Sequence, residues 1–171
     1  MLCNKCRCSV MYDAVEVAWK MLKVAKEKNI PMTNLKLQKL VYIAHGYFLA
    51  WQGKPLIKDP IEAWKYGPVI SNIYKVFKVH KSGVIPTDSM DSIAININDP
   101  DVDACISGIL DMYGNERPES LVAATHQPNT PWYNQWEVKG GKNYLFSRMD
   151  NDDIKNHYRN LLTNPESVEG L

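Results

Sequence analysis

The chain has 171 residues, a length that suits one domain with a continuous hydrophobic core. Its 20 basic and 19 acidic residues nearly cancel, which excludes a general electrostatic attraction to nucleic acid or to an anionic membrane. The sequence contains no apolar run of the roughly 20 residues that span a bilayer, and its first ten residues lack the apolar centre of a signal peptide. We therefore expect a cytoplasmic protein that has no membrane partner.

Three of the four cysteines lie at the start of the chain, at Cys3, Cys6 and Cys8. The CxxC spacing of the first two would allow their thiolates to share one zinc ion, and Cys8 could supply a third ligand. A structural zinc site normally has four ligands, and neither a second CxxC nor an HxxxH sequence follows. The incomplete ligand set favours a short N-terminal extension over a metal site.

Helical periodicity is clear in two early segments. Apolar residues recur at steps of three and four over 13–28, which predicts a first helix. The segment 33–53 predicts a second helix, with Thr33 or Asn34 as the N-cap and Gly53 as the stop. Its apolar residues extend beyond one narrow face, so this helix is expected to be central. Its polar residues are expected to lie off the apolar stripe; they are Lys36, Gln38 and Lys39.

The segment that follows contains several residues that disfavour a helix. Alternation over 61–66 predicts a short strand, and Pro68 suits the first turn of a third helix because its missing N–H would have no partner there. The alternating isoleucines of 93–97 predict a second strand that would pair with the first. The buried face of the third helix is assigned to Val69, Ile73, Tyr74 and Phe77.

Three further helices are predicted in the second half of the chain. Asp99 is a suitable N-cap for one that ends at Gly114, and Pro118 begins a shorter one that ends near His126. The segment 126–136 is expected to be a loop. The last helix is predicted over 152–162, before Pro165.

These elements indicate a mainly α fold with a small β element (α+β). The chain shows neither an internal repeat nor a second hydrophobic core, so we expect one compact helical domain with a short strand or hairpin insertion. The domain is expected to cover residues 11–163, between an N-terminal extension at 1–10 and a C-terminal tail at 164–171.

The residues that most often carry catalysis form no recognisable constellation. His45 lies within the apolar second helix and is expected to be a core residue. His126 precedes a loop that contains Trp132, but the sequence indicates neither a partnered nucleophile nor a second base. Neither a P-loop nor a GxGxxG motif is present. We therefore predict no catalytic residue, no cofactor and no enzymatic activity.

A nucleic-acid interface is also disfavoured. The third helix carries Lys75, Lys78 and Lys81, which could contact phosphates, but the net charge of +1 and the absence of a base-reading motif favour an ordinary solvated helix side.

One stretch of the sequence resembles a known family. The order "TNLKLQKLVYIAHGYFLAWQGKPLIKDPIEAWKYGPVISNIYKVF" is similar to the Panacea domain, the family that includes the SocA-type antitoxin and proteolytic adaptor. Its "EAWKYGPV" core is quite specific, and the later "ESLVAATHQPNTPW" also matches. The resemblance extends from about Met11 to Leu162 and leaves the cysteine-containing segment outside it.

The resemblance implies an antitoxin without enzymatic activity. Members are encoded beside very different toxins, many of them in prophages, a setting tied to phage defence, and they neutralise these toxins mostly by direct protein binding. The SocA branch instead delivers its toxin to the ClpXP protease. The partner implied is a cognate toxin, and the alternatives of proteolytic delivery and DNA-binding autoregulation stay open, as do the toxin's identity and the oligomeric state.

The specific "AWKYGPV" segment is also the most plausible contact surface on physical grounds. A stiff strand–turn–helix connection that presents aromatic side chains offers a large contact area at a low entropic cost. Lys65 and Tyr66 are the best candidates for surface residues, whereas Trp64 and Trp132 could equally well hold the fold together. The residues expected to form or brace the partner-binding surface are Trp64, Lys65, Tyr66, Pro68, Ile70, His126 and Trp132.

Overall fold

The computed structural model describes residues 10–164, so Cys3, Cys6, Cys8 and most of the expected tail lie outside the described residues. The described part is mainly helical with one small hairpin, which confirms the predicted fold class. Its elements, in chain order, are α1 (Ala14–Glu27), α2 (Asn34–Gln52), β1 (Glu62–Trp64), β2 (Gly67–Val69), α3 (Ser71–Phe77), α4 (Pro100–Tyr113), α5 (Pro118–Thr125), α6 (Pro131–Tyr133) and α7 (Asn151–Thr163).

The ends of the long helices are fixed by the capping residues that the sequence indicates. The side chain of Asp13 accepts a hydrogen bond from the backbone of Val15 at the start of α1, and Thr33 does the same for Lys36 at the start of α2. Gly53 ends α2 in the left-handed conformation, with φ of 71°. Thr33, and not Asn34, is therefore the N-cap of α2.

Helix α2 is the centre of the molecule. It packs against α1, α3, α4, α5, α7 and β2. Because β2 and α5 cover the first half of the helix, Lys36, Gln38 and Lys39 are buried as well. The sequence places them off the apolar stripe, and neighbouring elements enclose this side of the helix as well.

The two strands form an antiparallel hairpin in which Glu62 pairs with Val69, Ala63 with Pro68 and Trp64 with Gly67. Pro68 therefore lies in β2, and its placement in the first turn of α3 is wrong because the chain first reverses at Lys65 and Tyr66, and Gly67 begins β2 with φ of +99°. On its other edge, β1 is extended by hydrogen bonds from Ala63 N to Ser147 O and from Met149 N to Ile61 O, each 2.8 Å long.

The strand predicted over 93–97 does not form. The polar groups of this segment instead bond to side chains of α1: the backbone N–H of Asn96 donates to Glu16, and Lys20 Nζ donates to the carbonyl of Ile97 over 3.0 Å. Since α1 already satisfies these groups, the segment packs along that helix and has no strand partner.

The region expected to be a loop before residue 137 is partly helical. Thr130 accepts a hydrogen bond from Tyr133 N over 3.2 Å and so caps α6, which continues into a π-helical turn at Asn134–Val138. Within residues 10–164, no helix combines the length and the apolar character needed to cross a bilayer.

The prediction of a core position for His45 is confirmed. Its Nε2 lies 3.0 Å from Asn151 Oδ1, and its Nδ1 accepts a hydrogen bond of 3.4 Å from the backbone N–H of Ile57. Burial lowers the pKa of the imidazole to about 4, so His45 is neutral and links α2 to the start of α7.

Candidate partner-binding corner

The hairpin turn and the strand that follows form a projecting corner, which we define as residues 64–70. Only its tip, Lys65 and Tyr66, is exposed, and Tyr66 has 64% of its surface accessible. Lys65 Nζ lies 5.5 Å from the centroid of the Tyr66 ring, a distance that allows a cation–π contact. The two side chains predicted to be the best surface residues are therefore the ones that the fold exposes.

Two side chains support the hairpin turn by contacting its backbone carbonyls. Trp132 Nε1 donates to the carbonyl of Trp64 over 2.8 Å, and His126 Nε2 lies 3.3 Å from the carbonyl of Lys65. The rings of His126 and Trp132 are themselves in contact, with centroids 3.7 Å apart. The structure thus brings these predicted residues together, with Trp132 buried as a brace.

His126 is occupied by the backbone at both ring nitrogens. Besides the Lys65 carbonyl, its Nδ1 lies 2.6 Å from the carbonyl of Val122, one turn earlier in α5. A general base needs a nitrogen that is free to face a substrate proton. The geometry therefore gives His126 a positioning role at the corner.

The base of the corner rests on α2. Gln38 pairs with the backbone of Ile70 in both directions: its Oε1 accepts from Ile70 N over 2.9 Å, and its Nε2 donates to Ile70 O over 3.1 Å. Pro68 and Ile70 are both buried, so neither adds exposed contact area. Of the predicted set, these two and Trp132 are buried and contribute no exposed area to the corner.

Lys39 was missed by sequence reasoning although it supports the corner directly. Its side chain is completely buried, and its Nζ donates to the carbonyl of Pro68 over 2.8 Å. Burial without a carboxylate partner lowers the pKa of the amine from 10.5 to about 7. The clue in the sequence is the apolar character of α2 on several sides, since a helix enclosed by neighbours buries its polar residues too.

We expect the lowered pKa of Lys39 to make the protein more stable as the pH rises from 7 to 9. Over this range the unfolded chain binds the Lys39 proton and the folded chain does not, so the free energy of unfolding increases with pH, by about 2 kcal/mol for this group. Urea unfolding at the two pH values measures the difference. Lys39→Met should lose most of this increase. If the free energy of unfolding rose equally between pH 7 and 9 in the two proteins, the assignment to Lys39 would be contradicted.

A groove of about 410 Å³ lies beside the corner. One wall is formed by Trp64 and Tyr74, whose rings meet edge to face at 5.3 Å, and Phe146 contributes from the segment before α7. Tyr74 has 38% of its surface exposed, so its assignment to the buried face of α3 is wrong. Sequence reasoning also missed Phe146, although the apolar run Tyr144–Phe146 stands out in a polar segment.

The carboxylates of the groove are engaged within the chain. Glu62 Oε2 accepts hydrogen bonds from Trp64 Nε1 over 2.8 Å and from Ser71 Oγ over 3.1 Å. Asp59 accepts from the backbone N–H of Ala14 and from Asn72. Across residues 10–164, no three His, Cys, Asp or Glu side chains cluster closely enough to hold a metal ion.

Together, the fold and this site define a class of protein: a small helical domain that presents a braced aromatic hairpin at its surface. Comparison with known proteins identifies the family to which the chain belongs. The family model for the "Antitoxin SocA-like, Panacea domain" matches residues 37–133, more than half of the chain. The chain belongs to this Panacea domain family.

A curated relative supports the same assignment. Over 128 residues the chain is 36% identical to antitoxin SocA from Caulobacter vibrioides (strain NA1000 / CB15N), a match that covers 70% of this chain and 68% of the relative. No solved structure matches the chain.

Proposed function

We propose that this protein is the antitoxin of a toxin–antitoxin system and that it neutralises its cognate toxin by direct protein–protein binding in the cytoplasm. The family model and the similarity to antitoxin SocA support an antitoxin role. The observation that carries the binding mechanism is the corner: around its exposed Lys65–Tyr66 tip, the backbone carbonyls of Trp64, Lys65 and Pro68 contact Trp132, His126 and Lys39 respectively.

The bracing of the corner lowers the cost of association. A side chain or loop that must become ordered on binding costs roughly 0.5–1.5 kcal/mol per immobilised side chain. Here the hairpin register, the Trp132 hydrogen bond and the contact of Gln38 with Ile70 fix the backbone before any partner arrives. Tyrosine offers a large contact area with few rotatable bonds, which suits Tyr66 as a central contact.

The same geometry argues for a regulator without catalytic activity. The buried lysine and His126 Nε2 contact backbone carbonyls of the corner, His126 Nδ1 faces the carbonyl of Val122 in α5, and the groove carboxylates accept hydrogen bonds from neighbouring donors. These groups act on the fold and not on a substrate. Delivery of the toxin to a protease such as ClpXP, and DNA binding through the exposed Lys75, Lys78 and Lys81, are alternatives that no contact in the structure favours.

The proposal is tested by co-expression with the adjacent gene. We expect that gene to be toxic alone and harmless together with the wild-type chain, and we expect the two proteins to co-purify. The double variant Lys65→Ala/Tyr66→Ala should bind at least tenfold more weakly and protect poorly, because it removes the exposed tip and leaves the bracing contacts in place.

The matched control is Trp51→Ala, which removes an exposed aromatic residue at the far end of α2. It should bind like the wild type. A toxin that is neutralised only when a functional ClpXP protease is present, without stable sequestration, would overturn the direct-binding mechanism. Full protection by the Lys65→Ala/Tyr66→Ala variant would overturn the role of the tip.

A further inference from the structure

Three consecutive apolar residues project into solvent beside the corner. Tyr144, Leu145 and Phe146 have 71%, 89% and 74% of their surfaces exposed. Phe146 also lines the groove formed with Trp64 and Tyr74, so the triplet adjoins the aromatic wall of the groove. A contiguous exposed patch of large apolar side chains marks an interaction site more often than scattered single residues do.

Hydrogen bonds on both sides of the triplet fix its backbone. On one side, Tyr144 N donates to Gly141 O over 3.0 Å. On the other, the buried Ser147 accepts from Gln135 Nε2 over 2.9 Å through its hydroxyl, and from Ala63 N over 2.8 Å through its carbonyl. The second of these bonds ties the triplet to β1, so its position is fixed relative to the corner.

The charged side chains that line the groove differ in their hydrogen-bond partners and in their exposure. Asp59 and Glu62 both accept hydrogen bonds from neighbouring groups, as described above. Lys75 and Lys78 also line the groove and are exposed, and neither ammonium group has a partner in the part of the chain that the structure describes. Glu62 is buried and Asp59 is half-buried, whereas Lys75 and Lys78 are exposed, so the charges most accessible to an incoming molecule are positive, beside aromatic walls.

The geometry points to a second contact surface for the toxin: the groove and the Tyr144–Phe146 triplet dock an acidic, apolar segment of that partner. An apolar side chain of the segment would lie between Trp64, Tyr74 and Phe146, and carboxylates beside it would pair with Lys75 and Lys78. The inference rests on the proposed function and extends it, because it adds a contact surface beside the hairpin tip and specifies the chemistry of the partner segment.

The apolar part of the site is tested with Leu145→Ser/Phe146→Asn. Phe146 has φ of +60°, a region that asparagine tolerates well, so this variant keeps the shape of the loop and removes its apolar surface. We expect its affinity for the purified product of the adjacent gene, measured by calorimetry, to fall at least tenfold. The Trp51→Ala control should be unchanged, and so should the thermal stability of all three proteins.

The charged part is tested with Lys75→Glu/Lys78→Glu against Lys23→Glu/Lys155→Glu. Both variants change the net charge by the same amount, but only the first alters the groove. We expect the groove variant to bind at least tenfold more weakly at low salt and to show a flatter salt dependence than the wild type. The control variant should follow the wild-type curve.

The outcomes separate this inference from the proposed function. If the wild-type chain neither protects nor binds, the proposed function fails and the inference fails with it. If the wild type protects and Lys65→Ala/Tyr66→Ala weakens binding, but both groove variants bind normally, only the inference is overturned. It is likewise overturned if the wild type is a dimer that the triplet variant converts to a monomer without loss of toxin affinity, because the occupant is then a second copy of this chain.

Discussion

Replacing Gly46 by alanine is expected to lower the free energy of unfolding by about 3 kcal/mol, at the upper end of the usual cost of overpacking a core. Gly46 lies where α2 crosses α7, and an added Cβ would overlap the ring of Tyr158. That ring is buried between Tyr42 and Tyr47, with centroid distances of 5.9 and 4.8 Å, so it has no space into which to move. Helix α7 must shift instead.

The expected result is a melting temperature lower by roughly 6–12 °C, measured by thermal and urea unfolding. Gly108→Ala is the matched control: this glycine also lies inside a long helix, but an added Cβ meets no atom within 4 Å. It should gain up to about 1 kcal/mol, because alanine is the better helix former. Equal effects of the two substitutions would contradict the steric explanation.

A double-mutant cycle tests whether the destabilisation by Gly46→Ala arises from the contact with Tyr158. If the clash with the Tyr158 ring is responsible, Gly46→Ala should be much less harmful in a Tyr158→Ala background than in the wild type. Fully additive effects would instead show that the cost arises within α2 itself.

The long helices could be predicted from the sequence because their signals are local. Asp13, Thr33 and Asp99 each cap the helix that follows them, and Gly53 ends α2. A cap needs only the residues of its own turn, so the pattern of the sequence already contains the cause of the structure. The central position of α2 followed in the same way from the width of its apolar surface.

The incorrect predictions concern residues whose surroundings are determined by parts of the chain that are distant in sequence. The isoleucines over 93–97 alternate as in a strand, but the backbone of this segment forms hydrogen bonds with Glu16 and Lys20 of α1 and not with another strand. Lys39 is polar in any sequence pattern, yet it is buried because β2 closes over α2. Neither partner can be identified from the local sequence, since both lie far away along the chain.

The residues of the candidate site also differ in how far their positions depend on contacts between distant segments. The exposure of Lys65 and Tyr66 follows from the tight turn between β1 and β2, whereas the sequence predicts a strand over 61–66. The approach of Phe146 to Trp64 depends on the pairing of Ser147 with Ala63, a contact between distant segments. Lys65 and Tyr66 could therefore be predicted as surface residues from the sequence, whereas the hairpin and the groove became visible only in the folded chain.

Gly67→Ala is expected to destabilise the protein by about 3 kcal/mol and to weaken toxin binding at least tenfold at temperatures where the variant is still folded. The residue has φ of +99°, a conformation that costs a side chain of order 1–3 kcal/mol. An added Cβ would also lie 2.8 Å from Thr125 Oγ1 and 2.9 Å from Lys39 Nζ. Relief of these contacts requires the hairpin to move away from α2 and α5.

The movement has a specific consequence at Lys39. Its hydrogen bond to the carbonyl of Pro68 should lengthen, and water should reach the amine, so the pKa of Lys39 should rise toward its ordinary value. The stability of Gly67→Ala should then increase less between pH 7 and 9 than that of the wild type. Urea unfolding at both pH values, with a binding measurement at low temperature, tests the two effects together.

Gly53→Ala separates the cost of the backbone from the cost of the contact. Gly53 also has a positive φ, +71°, but an added Cβ there meets no atom within 4 Å. This control should lose only about 1 kcal/mol and should bind the toxin normally, because its strain lies at the end of α2 away from the corner. If Gly53→Ala and Gly67→Ala were equally destabilised and equally active, the close support of the corner by Lys39 and Thr125 would not determine its binding conformation.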